Sequence, residues 1–154
     1  MATEVERKFL VIGDDWRAIG TATAFRQGYL STVKERTVRV RVAGDRGTLT
    51  IKGVTTGATR SEFEYQIPVG DAQAMLDELC ERPIIEKVRH TVGFAGKTWE
   101  IDEFGGVNAG LVVAEVELDD ERESFERPPW IGDEVTGDPR YYNANLIEHP
   151  YSRW

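Results

Sequence analysis

The sequence predicts a mainly β (α+β) domain in which eight antiparallel strands close into a barrel, with a few helices outside it. Three observations carry that expectation. Short runs of alternating apolar and charged residues recur along the chain. The intervals between them hold turn-forming residues. Only three segments read at helical spacing. The expected strands are 4–11, 26–31, 37–43, 47–53, 61–68, 84–92, 97–104 and 111–119. Ala43-Gly44-Asp45-Arg46-Gly47 and Phe94-Ala95-Gly96-Lys97 read as tight hairpins. Eight strands joined largely by short turns suit a closed barrel, because closure removes exposed sheet edges.

The helical segments follow from caps and stops. In 71–82, Ala72, Met75, Leu76 and Leu79 form one stripe, with Asp71 as N-cap and Pro83 as terminator. Residues 120–127 read as a short helix ended by Pro128-Pro129. Asp138-Pro139 places a cap before a proline at the first helical position, which starts a helix through about 148.

At 154 residues the chain fits a single domain, 1–154, large enough to bury its own core. Hydrophobic content of 40% and charged content of 30% describe a globular protein and exclude a disordered one. No apolar run approaches the roughly 18 residues that span a bilayer, and no basic-then-apolar leader opens the chain. Cys80 is the only cysteine, so an intramolecular disulfide and a cysteine zinc cluster are excluded. These features lead to the expectation of a cytoplasmic protein with no membrane partner. A net charge of −8 speaks against a nucleic-acid binder.

The charged sides of the strands hold the functional signal. Glu4, Glu6 and Lys8 alternate, so on a strand they share one face. Arg39/Arg41, Glu62/Glu64, Lys87/Arg89, Glu100/Asp102 and Glu115/Glu117 repeat the pattern, and Lys52 alternates with Leu49 and Ile51. A wet outer face would also be charged. It has no need, however, for like charges about 7 Å apart on one side of a strand. Converging carboxylates suit a metal ion and converging cations suit phosphates. On a barrel interior these groups would need water, ions and ligand around them. The abundance of oxygen donors favours Mg²⁺ or Mn²⁺ over zinc. With metal bound, the interior would accept a compact polyanion such as a chain of phosphates.

Glu4-x-Glu6-x-Lys8 resembles the signature of the CYTH superfamily, also called triphosphate tunnel metalloenzymes. The similarity continues through Arg26-Gln27-Gly28-Tyr29-Leu30, Arg39-x-Arg41, Thr50-x-Lys52, Glu62-x-Glu64 and Glu86-Lys87-x-Arg89. It ends with Glu100-x-Asp102, Glu115-Val116-Glu117 and Asp138-x-Arg140-Tyr141-x-Asn143. The resemblance implies a tunnel barrel and metal-dependent hydrolysis of inorganic triphosphate, as in the short bacterial members. Alternatives within the superfamily are a class IV-type adenylate cyclase and a thiamine or nucleoside triphosphatase. A non-catalytic polyphosphate-binding module is a further alternative.

By resemblance, Glu4, Glu6, Glu62, Glu64, Asp102, Glu115 and Glu117 are expected metal ligands. Lys8, Arg39, Arg41, Lys52, Lys87, Arg89 and Arg140 are expected on phosphate oxygens. Lys87, Tyr29 and Glu4 are the candidate catalytic groups, the proton acceptor being a carboxylate near the metal or Lys87 with Tyr29. The expected partner is a small triphosphate, and a homodimer is left open. His90, His149, Cys80 and the four tryptophans are expected to be structural or surface residues.

Overall fold

The computed structural model describes residues 3–154. The alternation becomes eight strands: β1 (Thr3–Val11), β2 (Thr21–Ser31), β3 (Thr37–Ala43), β4 (Arg46–Lys52), β5 (Thr59–Ile67), β6 (Ile85–Phe94), β7 (Lys97–Phe104) and β8 (Val112–Leu118). They run round in the order β1-β5-β4-β3-β2-β6-β7-β8 and return to β1, with antiparallel neighbours throughout. The closing seam is short: Thr3, Glu4 and Val5 face Ser61, Arg60 and Thr59. A ninth strand, β9 (Ile131–Glu134), takes up the same edge of β1 further along, opposite Phe9 and Val11. Among the described residues no helix is long and apolar enough to cross a membrane.

Both expected hairpins form. Ala43 pairs with Arg46 around Gly44, whose φ is 61°. Phe94 pairs with Lys97 around Ala95 and Gly96, at φ 48° and 79°. Positive φ at both central residues gives the turn a twist that matches its strands.

Outward-facing residues of the barrel build two cores. Phe9, Val92, Trp99, Ile101, Ala114, Val116 and Leu118 lie beneath Trp16, Phe125 and Trp130. Val40, Val42 and Leu49 lie beneath Ala72, Leu76 and Cys80 of α1 (Val69–Glu78) and its exit. Gly28 is where β2 meets that exit: an added Cβ would stand 2.8 Å from Cys80 Cβ and 2.9 Å from Ile84 Cδ1. Gly28→Ala is therefore expected to lower stability by about 1–3 kcal/mol, read as a fall in Tm with the folded barrel retained. Ile51, Phe63 and Tyr65, on the outer face of β4 and β5, remain exposed.

Four expectations need correction. The helix expected over 71–82 runs from Val69 to Glu78, with Pro68 at the N-cap position and Asp71 inside the first turn. Residues 120–127 form a bend, a turn and irregular chain, not a helix. The Asp120 carboxylate accepts from Arg122 N–H and the Glu123 carboxylate accepts from Asp119 N–H, so local side chains capture the backbone donors. The C-terminal helix is replaced by 3₁₀ turns at Pro139–Tyr141 and Asn143–Leu146. The break falls at Tyr142, in extended conformation (φ −71°, ψ 126°). Asp138 does accept from Arg140 N–H as a cap, but Asn145 Nδ2 then donates to Pro139 O and folds the chain back. The expected strand at 26–31 begins at Thr21, because the weakly patterned Thr-Ala-Thr-Ala stretch is held by β6 from Thr91 to Val88.

The barrel interior is not charged throughout. Tyr29, Ile85, Phe104 and Val113, together with Leu10, share strand faces with the ionisable residues. They close over Leu111, Tyr141 and Leu146 into an apolar cluster. One end of the barrel is thus filled by hydrocarbon and sealed by the C-terminal turns.

Candidate active site

The remaining interior is a cavity of about 660 Å³. Strand alternation brings Glu4, Glu6 and Lys8 of β1 to its wall, facing Glu115 and Glu117 of β8. Arg39 and Arg41 of β3, Lys52 of β4 and Glu62 and Glu64 of β5 complete one side. Tyr29, Lys87, Arg89 and Glu100 line the other. Of the residues named from sequence, Asp102 and Arg140 are the two that do not line it. Arg140 projects outward and is held by Asp138 at 2.9 Å. Asp102 is only 1% exposed and lies behind two cations.

That burial defines the basic wall. Lys87 Nζ donates to Asp102 Oδ2 at 2.7 Å, and Arg89 donates through Nε and Nη2 to the same carboxylate at 2.8 and 2.9 Å. Burial opposes ionisation of Asp102, but the two cations more than offset it and hold its carboxyl far below the usual range. Lys87 is affected in the opposite sense: burial pulls its ammonium down to about 7, Asp102 resists this, and Arg89 and Arg41 add to it. Lys87 also donates to Asn143 Oδ1 at 2.9 Å, and that oxygen accepts from Gln27 Nε2 at 3.0 Å. Gln27 Oε1 in turn accepts from Arg41 Nε at 2.9 Å. A polar chain therefore links β2, β3, β6 and β7 to the C-terminal turns.

The carboxylate wall carries the opposite stress. Glu6 and Glu117 face each other directly, as do Glu100 and Glu115. Burial, then Glu115 and Glu4, raise the Glu6 carboxyl well above its ordinary value. Glu4 is raised by burial despite Lys52, and Glu117 by burial and then by Glu4 and Glu100. Lys52 bridges Glu4 at 3.0 Å and Glu62 at 3.1 Å. Arg39 lies 3.7 Å from Glu64. Glu115 is the exception: Lys8 and Arg89 outweigh its burial and bring it to about 2.

The cavity's donor set fits a hard divalent cation. It offers carboxylates and no thiol or imidazole. The raised Glu4, Glu6 and Glu117 are the groups whose crowding such a charge would relieve. In this conformation no three such side chains among the described residues are gathered closely enough to hold an ion.

Several cavity residues escaped the sequence reading. Arg60 shares a face with Glu62 and Glu64, and a strand begun one residue earlier would have included it. Phe25 alternates with Gln27 and Tyr29, so a longer β2 would have placed it inside. Lys34 reaches the cavity from the loop after β2, and no local pattern marks it. His90 packs against Trp16 outside the barrel, with ring centroids 4.8 Å apart.

Comparison with known proteins agrees with this arrangement. The CYTH domain pattern matches residues 2–151. The chain is 53% identical over 154 residues to an inorganic triphosphatase of Acetivibrio thermocellus, covering 100% of this chain and 99% of that one. It is 38% identical over 148 residues to an inorganic triphosphatase of Nitrosomonas europaea, covering 94% and 96%. A crystal structure of an inorganic triphosphatase superposes with a TM-score of 0.66 at 36% identity, covering 96% of this chain and 95% of that one. A match along nearly the whole chain, on a closed barrel with a charged interior, makes this protein a member of the CYTH domain family.

Proposed function

We propose that the protein hydrolyses inorganic triphosphate to pyrophosphate and phosphate inside the barrel, with Mg²⁺ or Mn²⁺ as cofactor. One observation carries the reading: eight cations and seven carboxylates line a single cavity in the barrel. The names of the two relatives and the solved structure support it. Two of the cavity's three aromatic rings are taken up by other protein groups. Phe25 lies beneath cations, Tyr29 is buried in the apolar cluster and Tyr142 sits by Lys8. This favours an inorganic substrate over a nucleotide.

The basic wall would bind the phosphate oxygens through Arg39, Arg41, Lys52, Arg89 and Lys8. Arg41 is the most exposed to this demand chemically, because it has no carboxylate partner among the described residues. Asp102 would act from behind, holding Lys87 and Arg89 in place, and Arg140 would lie outside the substrate contact. Glu4, Glu6 and Glu117 would hold the metal, with Glu62, Glu64 and Glu115 nearby. The ion would supply charge neutralisation and orientation of water and phosphate.

Water would attack the terminal phosphorus. The bond from that phosphorus to the bridging oxygen breaks, and pyrophosphate leaves with the electron pair. The transferred group's charge is spread over oxygens that the arginines hold. Lys87 would take the water's proton. As a neutral amine it would give its two hydrogens to Asp102 and Asn143, which leaves the lone pair for the cavity. A value of about 7 leaves much of it unprotonated in mild alkali.

Phosphate release from tripolyphosphate, ATP and thiamine triphosphate, with cyclic AMP monitored, tests the reading. The expected result is fastest turnover of tripolyphosphate with Mg²⁺ or Mn²⁺. The rate should climb with pH through about 7 on its acid limb, and Lys87→Arg should remove that limb with a loss of about 10²-fold or more. No turnover above a metal-only blank would overturn it. A preference for ATP would move the assignment to a nucleotide enzyme.

A further inference from the structure

We propose that Phe25 is a positioning residue whose ring holds Arg41 and Arg89 side by side for the anion. The inference rests on reading the cavity as a phosphate site. The guanidinium carbons of Arg41 and Arg89 lie over the Phe25 ring, 4.6 and 4.9 Å from its centroid. Lys87 Nζ lies 5.9 Å from the same point. Three cations from β3 and β6 thus share one ring on β2.

Strand register explains the convergence. Phe25 stands opposite Ala43 on β3 and opposite Lys87 on β6. Arg41 and Arg89 are therefore its diagonal neighbours across two seams, within reach of an aromatic side chain. Cations this close repel one another. Burial first, then Arg39 and Arg89, depress the Arg41 guanidinium to about 9. Arg89 has carboxylates to offset this, whereas Arg41 has only the neutral Gln27 oxygen.

An aromatic face suits this position chemically. Its negative quadrupole attracts each guanidinium and offsets part of their repulsion. It offers no oxygen that would compete with phosphate for their N–H groups. A carboxylate there would neutralise the pair, and an aliphatic chain would fill the space without attracting either cation. Phe25 and Lys87 are also the two residues that line both the charged cavity and a second, less polar cavity of about 650 Å³ beside it. The ring is therefore a wall as well as a support, and a simple filler would need only its bulk.

The test compares Phe25→Leu, Phe25→Tyr and a series of fluorinated phenylalanines at position 25 in the full chain. It reads KM and kcat with Mg²⁺ and tripolyphosphate, the Kd of tripolyphosphate by calorimetry, and Tm. Phe25→Leu should raise KM and Kd about tenfold, more than it lowers kcat, while Phe25→Tyr stays within about twofold of wild type on both. Stepwise fluorination, which drains the quadrupole at nearly constant shape, should raise KM and Kd in order. Should Phe25→Leu fail to fold, the fluorinated series decides alone.

Unchanged affinity in Phe25→Leu, or a flat fluorination series, would overturn the proposal. A wild type that binds tripolyphosphate without cleaving it removes the hydrolase reading but leaves this test intact. One that does neither overturns both.

Discussion

Glu6→Gln is expected to lower kcat/KM for tripolyphosphate by about 10³-fold or more, while the metal-free protein becomes as stable as wild type or more so. Both effects have one origin. Glu6 faces Glu117 across β1 and β8, and burial together with Glu115 and Glu4 raises its carboxyl well above 4.5. A group whose folded pKa is raised contributes stability that is complete below its unfolded value and is lost as pH rises through the folded one. Without metal, wild-type Tm should therefore decline as pH climbs above about 4.5, and the amide should flatten that decline. Adding Mg²⁺ should stabilise the wild type by mass action and the variant far less. An ion's stabilisation of transition-state charge amounts to several kcal/mol, and each 1.36 kcal/mol corresponds to about tenfold in rate. Thermal melts in chelator and in Mg²⁺, paired with phosphate-release rates, check the two halves together. A variant that loses activity and stability in parallel would show that Glu6 supports the fold.

Asp102→Asn should do the reverse and weaken the fold itself, whether or not metal is present. Asp102 is the counter-ion for Lys87 and Arg89 and is almost wholly enclosed. Removing one member of a buried ion pair leaves the others uncompensated, at a cost of about 3–5 kcal/mol. For a chain of this size that corresponds to a fall in Tm of roughly 6–20 °C. Because Lys87 and Arg89 depress the Asp102 carboxyl far below 3.8, its contribution is complete above that pH and is lost only as pH falls toward the folded value. The deficit of Asp102→Asn should therefore persist across neutral pH, and its melt should lack the wild type's loss in strong acid. An unchanged Tm at pH 7 would mean that the basic wall is held by other contacts.

The opposite responses of two interior acids could not be read from spacing. Glu6 and Asp102 both belong to like-charged pairs on alternating strands, and sequence alone treats them alike. Their difference comes from neighbours far along the chain: Glu117 and Glu115 beside one, Lys87 and Arg89 around the other. Arg140 was misplaced for a similar reason. It sits in a family motif, but the turn that Asp138 caps directs it to solvent. The short helix expected at 120–127 failed because side-chain acceptors satisfied the backbone locally. Phe25 stayed hidden because the expected strand began at residue 26, one position too late to include it.

What the chain alone determined was parity. Alternation at period two decides which side chains share a face, so Glu4, Glu6 and Lys8, Arg39 and Arg41, and Glu115 and Glu117 could be grouped before any neighbour was known. It also marked the hairpins, where residues able to adopt positive φ stand between strands. The tertiary structure decided the rest: that those faces point inward, that hydrocarbon seals one end, and which charge meets which. Electrostatic environment depends on register between strands distant in sequence and on the water that closure removes, and neither is a property of a local stretch of residues.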